Sequence, residues 1–246
     1  MPSVAVILPA AGKSSRFGGM EKKPFLLLNG RAVWVRAAEL FWNRPDVTKV
    51  YLVVSPDDRD DFRARFGHVV AFANAVVVEG GAERFDSVAN ALAGVPAEVD
   101  LVAVHDAVRP LTPPSLVDAV IAAAAKTGAA MAAVPLADTL KRVDAQNRIT
   151  ETVPRDGLWQ AQTPQIFRRN WLVEAYANRS NLPGPITDDA QLVEAMGHPV
   201  TVVPGVPMNF KLTTKADLAL AEAILNSREP KKKEKAMPRF DDEAQW

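Results

Sequence analysis

The sequence predicts an α/β fold, a mostly parallel sheet flanked by helices, on three observations. Short β-branched apolar runs alternate with amphipathic or Ala-rich stretches of helical length along most of the chain. The chain has 246 residues, 48% of them hydrophobic. By surface-to-mass scaling, a chain of that size buries roughly 72% of its unfolded surface, enough for one large core. One segment breaks the alternation: two short alternating runs surround a polar turn, the pattern of a hairpin standing off the sheet.

In chain order, the strands are expected at Val4–Leu8, Val50–Val54, Val76–Val78, Leu101–Val104, Ala130–Val134 and Val200–Val203. Helical patterns cover Ala32–Trp42, Asp57–Phe66, Arg84–Ala93, Ser115–Lys126, Thr187–Met196 and Lys215–Leu225. Ser55-Pro56-Asp57 and Thr112-Pro-Pro-Ser115 read as helix starts with a capping hydroxyl and an early proline. The hairpin falls at residues 138–153, around Asp144-Ala-Gln-Asn147. A two-stranded ribbon is rarely stable alone, so it reads as an arm that packs on another subunit of a homodimer. Residues 1–226 form one domain in this reading, and 227–246, charge-dense and without periodicity, a disordered tail.

Composition removes several function classes. The chain has 29 Lys+Arg against 29 Asp+Glu, without the basic excess of a nucleic-acid binder. It has no Cys, so disulfide scaffolds, thiol catalysis and Cys-ligated metal centres are out. Its three His (His68, His105, His198) are far apart and lack ligand spacing. Val4–Leu8 is too short for a signal h-region and no basic residue precedes it. Charges interrupt Val117–Ala133, so no membrane span is expected and the default location is cytoplasmic.

In an open parallel sheet, ligands bind beyond the carboxyl ends of the strands. The first strand runs into Pro9-Ala-Ala-Gly-Lys-Ser-Ser-Arg-Phe-Gly18. Ala10, Ala11 and Gly12 let backbone N–H groups approach phosphate oxygens, and Arg16 with Lys22 or Lys23 adds positive charge. Gly12-Lys13-Ser14 resembles the end of a P-loop, but Ile7 stands where its first glycine is required, and no G-x-G-x-x-G follows the strand. A tight turn with solvated basic residues would read the same way. Val104-His-Asp-Ala-Val-Arg-Pro110 closes an apolar strand with a carboxylate, so Asp106 is the candidate ligand for a Mg²⁺ shared with phosphates. Arg109 is placed to pair with it, and His105 to pack beneath the loop. Gly80-Gly-Ala-Glu-Arg-Phe-Asp-Ser87 opens a helix with two glycines able to wrap a flat base, and Ser87 is either a ligand-contacting or a loop-organising hydroxyl. Arg155, Thr163-Pro-Gln165, Thr187-Asp-Asp189 and Asn209-Phe-Lys211 are weaker signals individually.

Taken in order, these segments resemble the 2-C-methyl-D-erythritol 4-phosphate cytidylyltransferase family of non-mevalonate isoprenoid synthesis. The matching pieces also include Lys23-Pro-Phe25, Asp138-Thr-Leu-Lys-Arg142 and Thr152-Val-Pro-Arg-Asp-Gly-Leu-Trp159, and they span about residues 3–225. The resemblance implies a Rossmann-like nucleotidyltransferase domain with a protruding β-hairpin arm that dimerises. It implies that Ala10, Ala11, Gly12, Gly81 and Ser87 surround CTP, that Asp106 meets Mg²⁺, and that Arg16 and Lys23 stabilise the triphosphate and transition state. Arg155 and Lys211 would position the sugar-alcohol phosphate for attack, with Thr139, Thr163 and Thr187 around it. The chain departs from the family pattern at Ser14, where a second glycine is common, at Lys22-Lys23-Pro24 in place of Pro-Lys-Gln, and at Ala82, where an acid is common. Ribitol-5-phosphate cytidylyltransferases share most of these motifs, and a non-catalytic homologue would keep the fold.

Overall fold

The computed structural model describes residues 1–12, 22–73, 75–182 and 185–228. In chain order the elements are β1 (Val4–Pro9), β2 (Leu27–Leu28), β3 (Arg31–Ala32), α1 (Val33–Glu39), β4 (Val47–Val54), α2 (Arg59–Phe72), β5 (Ala75–Glu79) and α3 (Arg84–Ala93). They continue with β6 (Leu101–Val104), α4 (Pro114–Thr127), β7 (Ala129–Pro135), β8 (Leu140–Val143), β9 (Ile149–Val153) and β10 (Trp159–Arg168). The last are α5 (Arg169–Ala177), α6 (Asp189–Ala195), β11 (Thr201–Pro204) and α7 (Lys215–Arg228). Seven strands form one sheet in the order β11-β7-β10-β6-β1-β4-β5. Only β10 runs against its neighbours, pairing antiparallel with both β6 and β7. This is a Rossmann-like sheet, and the strand order turns at β1, which lies parallel between β4 and β6.

Period-two alternation sends the apolar strand residues to opposite faces. Val4, Val6 and Leu8 join Val50 and Leu52 beneath α1, α2 and α4, where Trp34, Phe41, Phe62 and Val120 close the layer. Ala5, Ile7, Val53 and Val104 face the other way, toward Val88, Leu92, Leu172, Ala175 and Leu192 of α3, α5 and α6. Both faces of the central strands are therefore buried, which is why those strands read as continuous apolar runs. No helix among the described residues is long and apolar enough to cross a membrane.

The six expected strands and six expected helices are all present, with shifts of a few residues at their ends. The reading missed β10 and α5, and the two-residue strands β2 and β3. β10 carries Gln160, Gln162, Thr163 and Gln165 and the cis bond before Pro164, features that argue against a central strand. It is central nonetheless. Its ladder with β7 is irregular between Ala161 and Gln165, so Pro164, which has no N–H, sits where regular pairing lapses. The two expected capping hydroxyls also do not cap: neither Ser55 nor Thr112 bonds a helix N–H, and Pro113 precedes α4 instead. Thr112 turns inward to Asn209.

The hairpin forms as β8 and β9, a separate two-stranded sheet with Leu140 opposite Val153 and Arg142 opposite Glu151. Asp144 Oδ1 accepts from the N–H groups of Gln146 and Arg148, at 2.9 Å each, and closes the turn. Val143 and Ile149 are exposed along it, as are Leu158 and Trp159 just beyond its base. Helix α7 runs on to Arg228, past the expected end of the domain at 226. The expected tail lies, from residue 229 on, outside the described residues.

Candidate active site

The carboxyl ends of β1, β5 and β6 meet at one pole of the sheet, and the loops that leave them carry the candidate residues. Ala10 is buried, and its N–H donates to Val53 O at 2.8 Å, which holds the first loop against β4. The added Cβ of any other residue at Gly80 would lie 2.6 Å from Ala11 Cβ. At Gly81 it would lie 2.2 Å from Asp86 Cβ. The paired glycines therefore let the loop after β5 close down on the loop after β1 and on its own helix. A Cβ at Gly12 would meet nothing within 4 Å among the described residues. Ser87 is buried; its hydroxyl donates to Glu83 O and accepts from Gly81 N–H, both at 3.1 Å. Glu83 and Asp86 complete a capping box at the start of α3.

Asp106 stands just beyond β6 and is nearly fully buried. Its Oδ2 accepts from Arg109 Nε at 3.0 Å and lies 3.3 Å from Lys211 Nζ. Its Oδ1 faces Arg84 Nε at 3.9 Å. Burial alone would raise the carboxyl pKa, but Lys211, Arg109 and Arg84 outweigh it and hold the group well below the usual carboxylate range. Asp106 is thus an ionised acid inside a cluster whose cations outnumber it.

A polar scaffold fixes this loop from beneath. Asp106 N–H donates to Thr163 Oγ1 at 3.0 Å, and the Thr163 hydroxyl reaches His105 Nδ1 at 3.1 Å. His105 is fully buried, and burial together with the Arg109 charge lowers its pKa to about 4, against the pull of Asp106. The ring is neutral, accepting from Thr163 through Nδ1, which leaves Nε2–H facing Arg109 O at 3.4 Å. Asn209 ties the rest together: its amide donates to Gln162 Oε1 and Thr163 O, and its backbone carbonyl accepts from Arg109 Nη1 at 2.6 Å. Lys211 is two residues further along the same segment, and Leu212 N–H donates to Val108 O at 2.9 Å.

Among the predicted residues, the structure brings together Asp106, Lys211 and Thr163 in one group and Ala11, Gly81 and Ser87 in another. Lys23 is buried in a 3-10 turn, Lys23–Phe25, packed beside α1. Its neighbour Lys22 forms an ion pair with Asp58 at 2.6 Å. Arg16 lies outside the described residues. Thr187 is exposed just before α6, where its N–H and hydroxyl both donate to Gln191 Oε1. Thr139 and Arg155 flank the hairpin, both exposed, and Arg155 donates to Ala137 O. Among the described residues no hydrogen bond or ion pair joins either of these two to Asp106.

Sequence reasoning quoted Arg84 and Asp189 inside the Gly80–Ser87 and Thr187–Asp189 segments but gave neither a role. Arg84 Nη2 donates to the fully buried Asp189 Oδ2 at 2.7 Å. A signal was available: a cation in the first turn of a helix opposes the helix dipole and calls for a nearby acid.

The residues suit a Mg²⁺ of a particular kind. Among the described residues no three His, Asp or Glu side chains gather to cage a metal. Mg²⁺ commonly takes one or two carboxylates plus substrate phosphates and water, and the ionised Asp106 beside Lys211 fits that limited role.

A Rossmann-like sheet with close-approach loops at its switch point and a cation-rich cluster around one buried acid defines an α/β protein whose pole has the charge and backbone access that suit a phosphorylated ligand. A profile of the family described as IspD, 2-C-methyl-D-erythritol 4-phosphate cytidylyltransferase, matches residues 4–227. The chain belongs to that family. A Frankia casuarinae protein of that name is 48% identical over 231 residues, covering 93% of this chain and 84% of the relative. The Thermus thermophilus structure of that name is 36% identical and superposes with a TM-score of 0.71, covering 91% of this chain and 99% of the other. An Anaerococcus prevotii structure described as 4-diphosphocytidyl-2C-methyl-D-erythritol synthase gives a TM-score of 0.78 at 28% identity, over 92% and 96% of the two chains.

Proposed function

We propose that the chain transfers CMP from CTP to 2-C-methyl-D-erythritol 4-phosphate, giving 4-diphosphocytidyl-2-C-methyl-D-erythritol and pyrophosphate. Family membership supports the reaction, and one observation supports its location. Lys211 and Arg109 share one oxygen of the buried Asp106 at the carboxyl end of β6.

In this reaction a phosphate oxygen of the sugar alcohol attacks the α-phosphorus of CTP, the bond to the β-phosphate breaks, and pyrophosphate leaves with that electron pair. Both reactants are anions, so the obstacles are repulsion and alignment. The attacking oxygen is already ionised at neutral pH, because the second phosphate pKa is about 6. No general base is required, which agrees with a His105 that is buried, neutral and used as a hydrogen-bond support.

Each group has a role in this reading. Ala10, Ala11, Gly12 and Gly81 offer backbone to the nucleotide, with Ser87 holding the Gly81 turn. Arg16 and Lys23 neutralise the triphosphate and the charge that builds on the leaving group. Lys211 and Arg155 align the attacking phosphate. Thr139 and Thr187 surround the sugar alcohol, and Thr163 fixes the backbone of Asp106. Mg²⁺ held by Asp106 and the phosphates would supply further charge neutralisation at the α-phosphate.

We also propose a homodimer joined through the arm at 138–153, which brings Thr139 and Arg155 near the partner's site. The exposed Val143, Ile149 and Trp159 support that placement. A domain ending near residue 226, a solvated tail beyond it and a cytoplasmic location, where polyanionic substrates need not cross a bilayer, complete the reading. The test is a substrate panel: pyrophosphate release from CTP with methylerythritol phosphate or ribitol phosphate, each with and without Mg²⁺. Release with methylerythritol phosphate that depends on Mg²⁺ is the expected result. Exclusive use of ribitol phosphate, or no release with either, rejects the proposal.

A further inference from the structure

Arg84 stands between two acids that belong to different parts of the chain. Its Nη2 donates to Asp189 Oδ2 at 2.7 Å, and its Nε faces Asp106 Oδ1 at 3.9 Å. Asp189, at the start of α6, is fully buried and is held on its other oxygen by the Tyr176 hydroxyl. The guanidinium is planar with donors at fixed angles, so anchoring one edge sets the direction of the other. A separation of 3.9 Å is too long for a hydrogen bond and short enough for strong attraction in a buried setting. Oδ1 therefore keeps capacity for a ligand while Arg109 and Lys211 occupy Oδ2. The third nitrogen, Arg84 Nη1, is buried and has no hydrogen-bond partner among the described residues.

The same residue opens α3, in the loop whose Gly80 packs on Ala11 and whose Gly81 bonds Ser87. One rigid side chain thus links the loop proposed to bind the nucleotide with the carboxylate proposed to face its phosphates. We propose that Arg84 is a positioning residue for the transfer step: clamped by Asp189, it fixes the rotation of the Asp106 carboxylate relative to the Gly80–Ser87 loop. This rests on the proposed reaction and deepens it. Arg84 acts through Asp106 and does not need to touch the reacting atoms.

The experiment uses the full chain with Arg84→Lys and Asp189→Asn. Lysine keeps a charge for Asp189, so the fold is retained, but it lacks the second edge that faces Asp106. Two readouts are taken: kcat and KM for pyrophosphate release, and Mn²⁺ uptake in the presence of CTP, followed by the electron paramagnetic resonance signal of free Mn²⁺. Loss of a partner that orients a metal-binding side chain typically costs about 10- to 100-fold in activity or metal affinity. Arg84→Lys is expected to lose roughly that much in kcat and in Mn²⁺ affinity, with KM for CTP within about threefold of wild type. Asp189→Asn is expected to lose less of both, in the same direction. Wild-type kcat and Mn²⁺ affinity in Arg84→Lys would overturn the proposal, as would losses that follow only a fall in melting temperature. The Mn²⁺ readout needs no turnover. If the wild-type chain takes up CTP and Mn²⁺ but releases no pyrophosphate, the reaction fails while Mn²⁺ uptake by the two variants still decides the role of Arg84.

Discussion

Two Arg–carboxylate pairs in this protein have nearly the same length and very different settings. Arg109 Nε and Asp106 Oδ2 are 3.0 Å apart with side chains 11% and 9% exposed, at the carboxyl end of β6. Arg142 Nε and Glu151 Oε2 are 2.9 Å apart with side chains 65% and 52% exposed, across the hairpin. Water screens the second pair, and exposed pairs contribute about 0.2–1 kcal/mol. The first pair is cut off from water, so removing one partner leaves a stranded charge at a typical cost of about 3–5 kcal/mol. Distance alone does not rank these interactions; burial does. The pole is built so that each charge depends on its neighbours, whereas the arm carries pairs it can lose.

That contrast can be broken or sharpened by substitution. The largest effect is expected at the pole: Lys211→Ala should lower turnover by roughly 10²–10³-fold, the usual loss for one transition-state charge contact. Steady-state kinetics check it, and a rise in KM with kcat intact would show that this lysine only binds substrate.

The scaffold beneath the pole should respond to acid. The pKa of His105 falls from an ordinary 6.5 to about 4 in the fold. Between those values the unfolded chain takes up a proton and the folded chain does not. Stability from this group is therefore complete above pH 6.5 and is lost as pH drops toward 4, by about 3 kcal/mol in total. Urea titrations in metal-free buffer at pH 7 and 4.5 should show most of that loss, and the same comparison in His105→Gln should lack it.

A smaller effect is expected at the nucleotide loop. A Cβ at Gly81 would press on Asp86, so Gly81→Ala should cost about 1–3 kcal/mol on unfolding and raise KM for CTP. The smallest is on the arm. Arg142→Ala should shift unfolding by less than about 1 kcal/mol. By contrast, Val143→Asp with Ile149→Asp should halve the mass seen by light scattering if the arm joins two chains.

The same contrast explains what the sequence made legible. Val4-Ala-Val-Ile-Leu8 and Leu101-Val-Ala-Val104 are buried on both faces, and burial writes itself into composition. Asp106, Lys211, Gly81 and Ser87 could be nominated because they stand beside such runs or within short motifs. Strand β10 could not, because its buried positions Gln162, Thr163 and Gln165 are polar and are satisfied by partners remote in sequence. Gln165 bonds Asp188, 23 residues away, and Gln162 bonds Asn209, 47 away. The Arg84–Asp189 clamp spans 105 residues, and its one local trace, a cation in the first turn of α3, does not say which acid answers it. Long-range polar pairing is information the fold adds. Of the residues flanking the arm, Thr139 comes from family resemblance alone and Arg155 is only a weak signal by itself, and among the described residues no hydrogen bond or ion pair joins either to Asp106.

The most direct test compares wild-type chain and Asp106→Asn side by side, measuring pyrophosphate released from CTP in the presence of methylerythritol phosphate and Mg²⁺. The account predicts turnover by the wild type and a loss of at least about 10²-fold in the variant, with circular dichroism showing the variant still folded at the assay temperature. Equal rates in the two proteins would contradict it.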